Sequence, residues 1–88
     1  MTRAEAARKL CEQLTRDVAA IAPVGIGHWP EAWDIVAAHD TSFVIALSVW
    51  EATGFEADRA KVRMAYTSVL DAWREATRLY EATGQEAS

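Results

Sequence analysis

The chain has 88 residues, of which 51% are hydrophobic and 25% charged, with a formal net charge of −4. That length allows one domain and one core, so residues 1–88 are read as a single helical domain. The apolar content is too high for a disordered tail. The longest unbroken apolar run, Phe43-Val44-Ile45-Ala46-Leu47, falls far short of the roughly 20 residues a bilayer span takes, so no membrane partner is expected. The start, Met1-Thr2-Arg3-Ala4-Glu5, has no signal-peptide apolar region, and a cytoplasmic location is expected. The single cysteine, Cys11, forms no intramolecular disulfide and no zinc set.

The first predicted element is a helix over about 3–21. Thr2 and Glu5 make a T-x-x-E capping box, in which each side chain satisfies a backbone donor at the helix start. Ala7, Cys11, Leu14, Val18 and Ile21 follow at spacings of 4, 3, 4 and 3, one apolar stripe widened by Leu10. Cys11 on that stripe is expected to be a buried small side chain. Ala22-Pro23 stops the helix, because proline disfavours helical geometry in the residue before it. Residues 23–29 read as an outer loop.

Pro30 suits the first position of a second helix, over 30–39, where its missing N–H costs nothing. Asp40-Thr41-Ser42 is a cluster of cap residues and predicts a break; one helix over 30–53 is the competing possibility. The third helix, 41–53, is apolar at nearly every position and is therefore expected to be central and buried. Gly54 fits a left-handed cap, with Phe55 folding back on Trp50. The fourth helix, 58–83, is the clearest: Val62, Tyr66, Val69, Trp73, Ala76 and Tyr80 recur at 4, 3, 4, 3 and 4, with Asp58 as N-cap and Gly84 as terminator. The expected fold is all-α, a small three-to-four-helix bundle with a long C-terminal helix.

Through Asp58, Tyr66, Leu70, Trp73, Ala76 and Gly84 this last segment resembles the helical core of phage small terminase subunits. The likeness spans under a third of the chain and uses residues common to amphipathic helices, so it assigns no family. A phage or mobile-element origin fits the size.

Chemical motifs are sparse. His28 and His39 are eleven apart, unlike the four-residue spacing of a zinc-binding helix pair. A metal or acid–base cluster of His39 and Asp40 with Glu31 and Asp34 is one alternative; otherwise neither enzyme activity, metal nor cofactor is expected. Arg59, Lys61 and Arg63 put three positive charges at the start of the last helix and carry the DNA-binding or packaging alternative. From Asp17 to Asp58 no lysine or arginine occurs. That acid-only stretch reads as a solubilising surface.

The leading expectation is a non-catalytic protein–protein interaction module, an accessory, regulatory or inhibitor component. Four tryptophans are many for such a chain, and tryptophan concentrates at interface hot spots. A last helix longer than the first by several turns would leave part of its Val62–Tyr80 seam without an internal partner. Tyr66, Trp73 and Tyr80 on that seam, with Trp29 and Trp33, form the expected contact surface for a homodimer or hetero-complex.

Overall fold

A computed structural model describes residues 1–84 and is all-α: α1 (Arg3–Ile21), a 3-10 turn (Ile26–His28), α2 (Pro30–Thr53), α3 (Glu56–Leu79) and a closing π-turn (Tyr80–Gly84). Helix α1 starts as expected. The Thr2 hydroxyl accepts from the Glu5 N–H at 3.1 Å, and the Glu5 carboxylate accepts from the Thr2 N–H at 3.4 Å. Pro30 occupies the first turn of α2.

The expected break at Asp40-Thr41-Ser42 is absent, and α2 is one helix of 24 residues. The reason lies in phase. Ala32, Val36, Phe43 and Leu47 are all buried and fall on one stripe that runs through residue 40 without a slip. Ending the helix there would turn half of that stripe away from α3, and packing outweighs the cap propensity of three polar residues.

The α2–α3 junction is a two-residue turn. Gly54 adopts φ 70°, as a left-handed cap should, and its N–H bonds the Trp50 carbonyl at 2.7 Å. Phe55, however, is 66% exposed and makes no return contact with Trp50. Helix α3 begins at Glu56, earlier than expected. Asp58 does not cap it; its carboxylate instead accepts from the Thr53 hydroxyl at 2.6 Å, tying the two helix ends together. The α-helix ends at Leu79 and widens into the π-turn, so α3 is no longer than α2. Helix α3 is longer than α1, at 24 residues against 19, and its Val62–Tyr80 seam is buried or half-buried at every named position.

Helices α2 and α3 pack antiparallel along most of their length, and α1 lies more lightly across one side of the pair. Arg3 Nε donates to the Glu51 carbonyl at 3.1 Å, and the Tyr66 hydroxyl donates to Asp17, so α1 runs parallel to α3. On α1 the inward positions are Ala7, Leu10, Leu14, Val18 and Ile21. Leu10 takes the place expected for Cys11, which stands exposed at the edge of the stripe. Burial pushes the Tyr66 phenol up to about 12, and the hydrogen bond to the Asp17 carboxylate adds to the shift.

The 23–29 loop is not wholly external. Ile26 is 4% exposed and plugs the end of the core, with Gly25 at φ 96° turning the chain inward. The Trp33 indole N–H donates to the Gly27 carbonyl at 2.9 Å and pins the loop to α2.

Asp40 is the awkward core neighbour. Its half-buried carboxylate lines a groove of about 200 Å³ with Leu14, Thr15 and Val18 of α1 and Val69 and Trp73 of α3. Burial raises its pKa above the ordinary 3.8, and neighbouring His39 only partly offsets this. The folded state therefore holds the proton more tightly than the unfolded chain. The resulting penalty is complete above the raised folded pKa, shrinks as pH falls, and vanishes below 3.8. Asp40→Asn is expected to stabilise the protein slightly at neutral pH, by less than about 1 kcal/mol, because the carboxylate is still largely solvated. Urea titrations of both proteins across that pH range check this. A gain that persists unchanged at low pH would remove the carboxylate as its cause.

Candidate interaction surface

The aromatic residues expected at a contact surface are largely used inside the fold. Trp29 and Tyr80 meet with ring centroids 5.5 Å apart, Trp33 and Trp73 form an edge-on pair at 5.3 Å, and Tyr66 packs on Phe43 at 6.0 Å. Trp73 is buried, and Trp29, Tyr66 and Tyr80 are half-buried. Trp33 alone of the five keeps a large exposed fraction, 44%. The first two ring pairs close one end of the α2–α3 pair, and Tyr66 meets Phe43 near its middle.

Arg59, Lys61 and Arg63 do not make one basic face. Arg59 and Arg63 flank the α1 side of α3, beside Ala6 and Leu10, and both reach Glu56, at 4.0 and 2.8 Å. Lys61 stands on the opposite flank and approaches Asp58 at 4.0 Å. A duplex would have to draw these cations from two sides of a helix and away from carboxylates. His39 and Asp40 are likewise separated. Asp40 faces α1, whereas His39 lines the other groove with Ile35, Ser68, Asp71, Ala72 and Glu75. Among the described residues no three histidine, cysteine, aspartate or glutamate side chains are grouped to hold a metal ion.

The exposed apolar surface lies where the sequence points to burial. The 41–53 part of α2 was expected to be central and buried, yet Val44 and Ile45 are each 59% exposed and Val49 is 42% exposed. The physical reason is the count of helices. Two helices surround only part of α2: α3 covers one side, α1 a second, and the remainder faces outward. Between Asp34 and Glu51 the exposed positions are Ala37, Ala38, His39, Thr41, Ser42, Val44, Ile45, Ser48 and Val49, and none is an aspartate, glutamate, lysine or arginine. An open groove of about 300 Å³ runs along this side, lined by Ser42, Ile45, Ala46 and Val49 of α2 and by Asp58 and Lys61 of α3. Met64, 70% exposed, follows Lys61 by one turn. By length and composition α2 is also long and apolar enough to cross a membrane, a property the longest apolar run alone does not reveal.

No family model, curated protein or solved structure matches this chain. The surface must be read from its own chemistry.

Proposed function

We propose that this chain is a non-catalytic protein–protein interaction module whose working surface is the uncharged outer face of α2. The observation that carries the reading is the exposure of Val44, Ile45 and Val49 on a helix whose outward positions lack any charge over four turns. Contiguous exposed apolar surface rimmed by polar groups is costly to leave in water and marks sites of association. An accessory, regulatory or inhibitor role follows from a protein that offers a surface and no assembled chemical group. This surface replaces the aromatic residues of α3, which are occupied within the fold.

The test compares the wild type with Val49→Glu, which leaves the buried stripe of α2 untouched. Both proteins are immobilised, exposed to lysate of the native host, and the retained proteins identified by mass spectrometry; sedimentation of each is measured in parallel. Association with itself or with another protein, lost in the variant at unchanged helicity, supports the reading. Absence of any association that Val49→Glu removes overturns it.

A further inference from the structure

We propose that α1 is a strap: it lifts as a unit from a lasting α2–α3 hairpin and bares the apolar strip it covers. The core is divided unevenly between the helices. Of the twelve buried core residues described, α1 supplies only Ala7 and Leu14, while α2 and α3 supply nine. The ring pairs Trp29–Tyr80, Trp33–Trp73 and Phe43–Tyr66 join the loop and α2 to α3 or its closing turn, and none includes a residue of α1. Lifting α1 therefore leaves all three in place. The seat of α1 is also incomplete. The groove of about 200 Å³ beside Leu14 and Val18 holds the Asp40 carboxylate, and a second, of about 190 Å³, opens between Leu10 and Trp50. Lifting returns that half-buried carboxylate to water, which offsets a little of the cost of exposing apolar surface.

Polar ties fasten the strap near both ends. At its start, Arg3 Nε donates to the Glu51 carbonyl at 3.1 Å, and the guanidinium lies across Gly54, where a side chain would collide with it. About one turn before its end, the Tyr66 hydroxyl donates to Asp17. The hinge is separate from the hairpin's own fastening. Residues 22–25 link α1 to the 3-10 turn, and Val24 among them is fully exposed. Beyond the hinge, Ile26 is buried and the Trp33 indole holds Gly27, so the loop stays fastened to α2 when α1 leaves. Opening bares a strip of Trp50, Val62, Val69 and Trp73, a surface distinct from the outer face of α2.

The test is amide hydrogen exchange on the full chain over a series of low urea concentrations, read helix by helix. The slowest amides of α1 should exchange faster than the slowest of α2 and α3. Their urea dependence should be weaker, because lifting a strap exposes less surface than unfolding does. Two variants of unchanged helicity separate strap from hairpin. Ile35 lines the groove on the side away from α1, with His39 and Ala72. Ile35→Ala should speed exchange in α2 and α3 about tenfold and leave α1 unchanged, since the strap lifts while that contact still holds. Tyr66→Phe should speed exchange in α1 about tenfold, the effect of losing a hydrogen bond to a charged group. Three results overturn the inference: one rate and one urea dependence for all three helices, Ile35→Ala speeding α1 as much as the hairpin, or α1 exchange unmoved by Tyr66→Phe.

Discussion

Trp73→Ala is expected to cost about 3–5 kcal/mol, the range for truncating a buried large aromatic side chain. The indole is 6% exposed, lines the groove under α1 beside Leu14 and Val18, and receives Trp33 edge-on at 5.3 Å. Its removal therefore loosens α1 and the aromatic end of the α2–α3 pair together. Domains of this size are stable by about 5–15 kcal/mol, so the variant should lie close to its unfolding midpoint under mild conditions. The melting temperature should fall by roughly 15 °C or more. Thermal melts followed by far-UV circular dichroism check this. A loss below about 1 kcal/mol would mean that the ring is not held as described.

Ala76→Leu should be the second most damaging change, for the opposite reason. Ala76 on α3 and Ala32 on α2 are both fully buried, at matching positions in the antiparallel pair. They set how closely the helices approach beside the aromatic cluster. A leucine there has no empty space to enter, and overpacking costs typically about 1–3 kcal/mol. The same substitution at exposed Ala60 should change stability by no more than about 0.5 kcal/mol. Urea denaturation of the two variants separates the cost of crowding from that of leucine in a helix. Equal effects at both positions would refute close approach at Ala76.

Much of the architecture is legible in single residues whose chemistry allows one local answer. The Thr2–Glu5 box, Pro30 and Gly54 each mark a helix end, and all three stand where they were expected. The chain is harder to read where local and tertiary preferences disagree. Asp40-Thr41-Ser42 has the composition of a cap, but Ala32, Val36, Phe43 and Leu47 keep one phase across it, and phase was the better guide. Phe55 has the position of a cap contact, but Thr53 and Asp58 tie the two helix ends together and Phe55 stays exposed. The candidate surface was obscured by the same ambiguity. An apolar run with no polar face reads as a buried centre, and only the number and arrangement of neighbouring helices shows which side is left uncovered. The aromatic residues of α3 were recognisable as a seam, though not as one that α2 fills along its length.

The turn at Gly54–Phe55 bears on how the protein reaches this arrangement. It joins two helices of 24 residues through only two, so every contact between them can form by zipping outward from one point. Chains whose contacts lie close along the sequence fold fast, because little loop entropy is lost before packing begins. Helix α1 reaches its place by the longer route, through the loop that Ile26 and Trp33 anchor at the far end. The α2–α3 pair is thus the unit that forms first and opens last, while α1 is a cover that can lift from it without undoing it. The outer face of α2 belongs to the durable unit and keeps its shape whether the cover is on or off.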